Sequence, residues 1–516
     1  MLQPQFYPHR PAGVRLVQTH ISYVLLAGSE VYKVKKAVRF SFLDFSTLAL
    51  RRHFCREEVR LNRRLADDVY HGVVAICRRG DAYAIGAEDD PDAVEYAVHM
   101  RHLPDDCTLD RLLDRGATTM AMIERIAARL ADFHRLAETS AAITARGAPA
   151  AILQVLEDNY ANARPFRGRT VSPGDDDAIQ AFARGFLRTQ AALFEARQRN
   201  RRIRDCHGDL HSEHVCITDG LVIFDCIEFN PRLRYIDAVS DIAFLAMDLD
   251  YHDRPDLSER FVERYAALAE DPDVHRLVAF YKCARAYVRG QVDSMKSAEA
   301  EVEAADRDAA RASAIKHFAL ASRYAWSSAP WVVCVAGLSG TGKSTLAAAL
   351  QQRTGFLQVS SDATRKELAR AEGVTSPAVG GYESGIYAPE YSARTYGAML
   401  ARAAAGAAAG RGVILDATFQ RRADRNAARA LAARLRMPCV FLECRCSDAT
   451  ARQRIERRVR GGVSLSDADW AVYLEQRRRY EPFAPDEESQ RLVLDTDGDL
   501  GPLVTAVEAE LRRRNR

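Results

Sequence analysis

Between Val14 and Val38, apolar and polar residues alternate on either side of Ala27-Gly28-Ser29-Glu30, a period of two that predicts a β-hairpin. The period then lengthens. Glu57, Glu58, Leu61 and Leu65 fall at helical spacing, which predicts a helix from about Ser46 to Leu65. Further strands are expected near Gly72 to Cys77 and Tyr96 to Met100. Beyond Thr108 the pattern is mostly helical, interrupted by Pro165 and by a turn at Ser172-Pro173-Gly174-Asp175. Short apolar strands flank a histidine-rich loop at 207–214. Helical sequence then runs to Tyr324, and Ser327-Ser328-Ala329-Pro330 reads as a linker.

After that linker, strand and helix alternate. Buried strands are predicted at Trp331 to Ala336, Phe356 to Ser360, Gly412 to Asp416, Cys439 to Cys444 and Leu492 to Leu494. Helices lie between them, among them Lys343 to Gln352 and an Ala-rich segment from Tyr396 to Ala409. This is the pattern of a doubly wound parallel sheet. No internal repeat relates the two halves.

Composition narrows the class. A chain of 516 residues, 47% hydrophobic and 28% charged, can bury the cores of roughly two to four globular domains. Its 73 basic and 70 acidic residues leave a net charge of +3, too little to recruit nucleic acid or an anionic membrane. The Arg-rich end, Leu511 to Arg516, reads as a solvated helix terminus. No apolar run reaches the roughly 18 residues that span a bilayer, and Met1-Leu2-Gln3-Pro4 does not begin a signal pattern, so a soluble cytoplasmic protein is expected. Eleven cysteines without a Cys-x-x-Cys pair fit reduced, mostly buried thiols. Only eight of the basic residues are Lys. Three of them fall in Val31-Tyr32-Lys33-Val34-Lys35-Lys36 and a fourth is Lys343, and a compact ammonium suits phosphate as a point charge.

Two phosphate-handling signatures carry the chemistry. The first is His207-Gly208-Asp209-Leu210-His211-Ser212-Glu213-His214, followed by Phe224-Asp225-Cys226-Ile227-Glu228. Phosphoryl transfer needs a carboxylate at the acceptor hydroxyl, metal ligands and a cation on the phosphates. Asp209 is the candidate catalytic group and Asp225 the metal ligand. Lys33, with Lys35 as the alternative, is placed on the α/β-phosphates, paired with Glu58 or Glu57.

With Asp237-x-x-x-Asp241-Ile242-Ala243, these residues make the stretch from 15 to about 320 resemble the aminoglycoside phosphotransferase group, whose fold is bilobal and protein-kinase-like. The resemblance implies ATP, Mg2+ and a small-molecule hydroxyl acceptor. Asp241 is placed toward that acceptor, as part of a carboxylate-rich wall with Glu228, Asp237, Asp248 and Asp250 that would favour polyhydroxyl or cationic compounds. Two departures stand out. His214 occupies the position of a metal-binding Asn, and imidazole suits transition metals better, so Mn2+ is an alternative at this site. No Gly-x-Gly-x-x-Gly covers the nucleotide, and Gln18-Thr19-His20-Ile21-Ser22 lies in its place.

The second signature is Gly337-Leu338-Ser339-Gly340-Thr341-Gly342-Lys343-Ser344-Thr345 between a strand and a helix, a P-loop whose backbone N–H groups wrap phosphates. Gly337, Gly340, Thr341, Gly342 and Thr345 build the cradle, Lys343 contacts the β/γ-phosphates, and Ser344 and Asp416 serve the metal. Val359-Ser360-Ser361-Asp362-Ala363-Thr364-Arg365 puts an Asp and an Arg in the crevice where an acceptor lies. The segment from Trp331 to about Leu494 resembles the P-loop small-molecule and polynucleotide kinases, including the zeta-toxin-like group. By position Asp362 inherits the base and Arg365 an anionic part of the acceptor. Arg454, Arg457, Arg458 and Arg460, on a helix leading into Gly461-Gly462, resemble the lid, with Arg454 and Arg458 one turn apart.

The expected architecture is an α+β bilobal protein-kinase-like domain at 1–326, with lobes at about 1–100 and 101–326, followed by an α/β P-loop domain with a parallel sheet at 330–516. The expected function is a bifunctional ATP-dependent phosphotransferase acting on small-molecule hydroxyls: sugars, amino sugars or nucleotide-like compounds. A nucleotide-sensing regulator with one silent domain is the alternative. The sequence sets no oligomeric state.

Overall fold

The computed structural model describes residues 1–40, 43–373, 385–408, 410–461 and 468–515. Ala409, Gly462 and Arg516, singled out above, lie outside them. The chain forms two compact units, one of Met1–Thr170 with Ala183–His317, the other of Val171–Phe182 with Phe318–Arg516.

The first unit opens with an antiparallel sheet. Its strands are β1 (Arg15–Gln18), β2 (Ser22–Ala27), β3 (Glu30–Lys35), β4 (Tyr70–Arg79), β5 (Ala82–Gly86) and β6 (Ala93–Arg101), in the order β1-β2-β3-β6-β4-β5. The expected hairpin is β2–β3, and Gly28 takes φ +69° in its two-residue turn. Strand alternation sends Tyr32 and Val34 to one face, where they pack with Leu25, Ile76, Ala97 and the N-terminal Tyr7. Lys33 and Lys35 take the other face. There the Leu48–Asn62 helix, capped by Thr47, buries Cys55, Glu58 and Val59. Burial of Glu58 at a helical position beside a strand-borne lysine pair is the structural reason this lobe can hold charge.

The rest of the unit is mainly helical. The Ala238–Tyr251 helix buries every residue from 238 to 249 and forms its axis. Two short antiparallel pairs lie beside it: β7 (Ile203–Asp205) with β10 (Tyr235–Asp237), and β8 (Val215–Ile217) with β9 (Leu221–Ile223). They fix both ends of the 206–214 loop and of the 224–234 segment.

Ser172-Pro173-Gly174-Asp175, expected as an interrupting turn, instead begins the Pro173–Thr189 helix. Ser172 Oγ accepts the Asp175 N–H at 3.0 Å, and proline occupies the first helical position, where its missing donor costs nothing.

The second unit carries β11 (Val332–Ala336), β12 (Leu357–Ser360), β13 (Val413–Asp416), β14 (Cys439–Arg445) and β15 (Arg491–Asp495). All are parallel, in the order β12-β13-β11-β14-β15. Val332, Cys334 and Ala336 face one core, with Met399, Ala403 and Leu431. Val333 and Val335 face another, with Leu346, Leu350 and Val507. Helices on both faces explain why these strands read as unbroken apolar runs. The sequence changes direction at β11, so the P-loop lies at the crevice of the sheet.

Candidate active sites

In the first unit, the 207–214 loop is built from its backbone outward. Gly208 takes φ +88°, and a Cβ there would come within 2.9 Å of the Leu233 carbonyl oxygen. Asp241 is fully buried and accepts the backbone N–H of His207 at 2.9 Å and of Gly208 at 2.8 Å, while His134 Nε2 lies 3.1 Å away. Against the cost of burial, these bonds hold its carboxyl down to about 2. Asp241 therefore positions the loop and does not face an acceptor, a correction to the sequence reading. His207 accepts the Asp209 N–H at Nδ1, so its Nε2 donates to the Phe224 carbonyl at 2.9 Å. Burial pushes this imidazole down to about 4.

Asp209 keeps 34% of its side chain exposed at the loop tip. Burial opposes its charge, but His211, His214 and Arg289 hold the carboxyl well below the usual carboxylate range. Asp225 adopts φ +62°, a conformation rare outside glycine and characteristic of functional positions. Its N–H is held by the Tyr70 hydroxyl at 3.2 Å. Lys33 Nζ lies 2.5 Å from Asp225 and 2.9 Å from Glu58. Lys35 instead bridges Glu58 and Glu228 in the interior. The partly exposed Lys33 is thus the ammonium that reaches the cleft.

His214 donates from Nδ1 to the Asp209 carbonyl at 2.9 Å. Its Nε2 stands 3.6 Å from Asp225 Oδ2. Burial and the neighbouring His211 lower this imidazole's pKa, so a lone pair faces a carboxylate at a distance too long for a hydrogen bond. Two facing acceptors fit a shared cation, so His214 with Asp225 could hold a divalent metal, and Asp209, His211 and His214 form a second group whose ligand atoms lie close enough to do so. The expected carboxylate wall dissolves. Glu228 pairs with Lys35, Asp237 with Arg197 and Asp250 with Lys282, and Asp248 accepts the Ser212 N–H at 2.7 Å.

In the second unit, Gly337, Gly340 and Gly342 all take left-handed φ, at +138°, +81° and +82°. A Cβ on Gly340 would meet the Ala451 carbonyl at 2.9 Å. Thr341 is buried and donates to the Leu338 carbonyl, and Lys343 Nζ donates to the same oxygen at 2.7 Å. Burial lowers the Lys343 pKa, opposed by Asp416. Asp416 ends β13 almost fully buried. Its pKa is raised by burial and restrained by Lys343 and by a hydrogen bond from Ser344. Ser344 and Thr345 are exposed at the start of the Lys343–Thr354 helix.

Asp362 lies in the first turn of the Ser361–Ala371 helix, 3.2 Å from Arg365, whose guanidinium sits over Tyr387. Arg454 donates to the Thr496 carbonyl at 2.7 Å, while its buried Nη1 has no partner among the described residues and lies 3.3 Å from where a Gly342 Cβ would be. An orphaned guanidinium donor against a P-loop glycine fits an anionic group such as phosphate. Arg458 is half-buried and contacts the Ala468 carbonyl, and its charge is felt by Lys343. Arg457 and Arg460 are exposed.

Two participants carry no sequence signal. Gln476, on the Trp470–Arg478 helix, accepts the Ser339 N–H at 2.9 Å. Thr496, past β15, donates to the Thr341 carbonyl. Both lie more than a hundred residues along the chain from the loop they touch.

No helix among the described residues is long and apolar enough to cross a membrane. Residues 30–278 match the model of the phosphotransferase enzyme family, and residues 332–483 match that of an AAA domain. Uncharacterized proteins of Mycobacterium bovis and of Mycobacterium tuberculosis are 32% identical to this chain over 462 residues, 89% of the chain and 89% of each relative. Among solved structures, a gluconokinase from Sinorhizobium meliloti 1021 is 19% identical, with a TM-score of 0.27, over 36% of this chain and 94% of its own. A choline/ethanolamine kinase family protein from Mesorhizobium loti is 12% identical, with a TM-score of 0.36, over 62% of this chain and 96% of its own. The chain belongs to the same family as the mycobacterial proteins, and it joins an aminoglycoside phosphotransferase-like domain to a P-loop kinase-like domain.

Proposed function

We propose that the chain is a bifunctional ATP-dependent phosphotransferase for small-molecule hydroxyls, with one activity in about 1–326, the other in about 330–516, and one Mg-ATP site in each. The observation that carries the reading is the convergence of Lys33 on both Glu58 and Asp225, with Asp209 and His214 alongside, in a chain that also holds an intact P-loop. Bound Mg-ATP supplies the transferable phosphoryl group, with Mn2+ as an alternative in the first unit. Lys33 neutralises phosphate oxygens, and His214 and Asp225 hold the cation. Asp209 stays ionised throughout the physiological range, accepts the hydrogen of the acceptor hydroxyl and orients its oxygen for attack. In the second unit Lys343, Ser344 and Asp416 hold nucleotide and metal, Asp362 takes the hydroxyl proton, and Arg454 and Arg458 stabilise the moving charge. Arg365 is assigned to an anionic part of the acceptor. A cytoplasmic setting is supported by eleven cysteines held outside any disulfide, nine of them buried.

One observation favours the regulatory alternative for the first unit. Only Thr19, His20 and Ile21 join β1 to β2, pinned by Thr19 Oγ1 to the Ser22 N–H at 3.0 Å, so no extended loop covers a nucleotide there. Acceptor-dependent ADP release, screened against fractionated metabolites, separates the readings. Asp209→Asn and Asp362→Asn should each remove one of two activities, with about 10²–10⁴-fold loss. Full retention of both activities in both variants would contradict the proposal.

A further inference from the structure

We propose that Glu30, His71 and His99 form a binding site for a divalent transition-metal ion of the zinc class, on the face of the first unit's sheet opposite to Lys33. Strand alternation sets the face. Glu30 stands two residues before Tyr32 on β3, and Tyr32 lies directly across from His99 on β6, so these three share the side that carries Leu25 and Val34.

His71 reaches that side by a different route. In β4, Tyr70 pairs with Met100 and Gly72 with His99, which leaves His71 as the extra residue of a β-bulge. Alternation from Val73 and Ala75, which pack with Cys55 and Val59 on the opposite face, would point it away from His99. The bulge releases it, and its ring meets that of His99 with centroids 4.9 Å apart. Arg63 donates to the carbonyls of Tyr70 at 2.9 Å and of His71 at 2.6 Å, which pins the bulge. Stacking on Tyr32, at 4.6 Å and 6° from parallel, fixes the His99 ring.

The donor atoms converge. Glu30 Oε2 lies 2.8 Å from His99 Nε2 and 3.3 Å from His71 Nε2, and one donor atom of each residue lies within 4.8 Å of the other two. The longer distance passes the roughly 2.7–3.2 Å of an N–H···O bond and equals the ~3.3 Å edge of a tetrahedron whose metal–ligand bonds are about 2.0–2.1 Å. The side chains of Glu30, His71 and His99 are 24%, 42% and 26% exposed, so an ion and its water reach them. Neighbouring charge does not compete. Arg101, across the ladder from Glu30, pairs with Asp68 at 2.5 Å, and His9 keeps its Nε2 on the Ala27 carbonyl at 2.8 Å.

Ligand chemistry follows from this set. Two imidazoles and a carboxylate suit Zn2+ and its first-row neighbours, whereas Mg2+ and Ca2+ take oxygen donors. Three protein ligands leave a fourth position for water. An ion held here ties β3, β6 and β4 together at a place remote in function from the Lys33 face.

The test is equilibrium dialysis of the full chain at micromolar free Zn2+ with Mg2+ in large excess, the bound zinc being measured by elemental analysis. Three variants each remove one ligand: Glu30→Gln, His71→Ala and His99→Phe. The first is nearly isosteric, the second alters an exposed residue, and the third keeps an aromatic ring on Tyr32. Each should lose one zinc bound by the native chain, with affinity for that ion falling at least about 100-fold, because partners that merely orient a metal ligand already account for roughly 10–100-fold. His214→Ala should retain it. No zinc on the native chain, equal zinc on the native chain and all three variants, or a zinc lost from His214→Ala alone would overturn the site.

Discussion

Asp241→Asn is the substitution that most cleanly separates a loop-positioning carboxylate from an acceptor-binding one. The native carboxylate accepts two backbone N–H groups, at 2.9 and 2.8 Å, and faces His134. Hydrogen bonds to a charged group contribute about 1.5–3 kcal/mol each, and an orphaned buried donor costs about 1–3 kcal/mol. Asparagine keeps one carbonyl oxygen and turns an amide N–H toward the other partner. The expected penalty is about 3 kcal/mol, which raises the local opening equilibrium about 100-fold. Because the chain has two units, a single global unfolding energy is not the right readout, and amide hydrogen exchange is. The His207 and Gly208 amides should exchange about 100-fold faster, transfer at the first site should fall through kcat, and amides of β11 should be unchanged. An exchange increase below about threefold, or a raised acceptor KM with kcat intact, would refute the positioning role.

Acid should act on the same loop. The His207 pKa is about 4 in the folded chain against an ordinary 6.5, so the unfolded chain binds more protons between these values. The stability from this group, about 3 kcal/mol, is complete above pH 6.5 and is lost as pH falls toward 4. Asp241, held to about 2 from 3.8, adds a second loss between those limits. Exchange of the 206–214 amides that does not accelerate between pH 6.5 and 4, after correction for intrinsic rates, would contradict this. In the second unit, Arg454→Met removes a buried Nη1 donor that has no partner among the described residues, together with the Nη2 bond to the Thr496 carbonyl. The variant's melting temperature without nucleotide should fall by no more than corresponds to the about 1 kcal/mol of one hydrogen bond, while the stabilisation by ATP shrinks; undiminished stabilisation by ATP would assign Arg454 a structural role instead.

Much of this was legible in the sequence, for local reasons. Strand alternation put Lys33 on a β-strand, helical spacing put Glu58 on the next helix, and the P-loop announced itself by glycines that only a left-handed backbone explains. What escaped depends on distant chain segments. The resemblance placed Asp241 toward the acceptor. Only tertiary packing turns it onto the His207 and Gly208 amides. Gln476 reaches Ser339 from a helix that sequence spacing cannot relate to the P-loop. The Ser172-Pro173 turn was misjudged because proline after serine marks helix starts and turns alike.

The central claim is that one chain holds two independent nucleotide sites, one organised by Lys33 and one by Lys343. Calorimetric titration of the full chain with a non-hydrolysable Mg-ATP analogue tests it directly. The account predicts two nucleotides bound by the native chain, one by Lys343→Ala, one by Lys33→Ala and none by the double variant. A stoichiometry of one in the native chain, or none in Lys343→Ala, would contradict it.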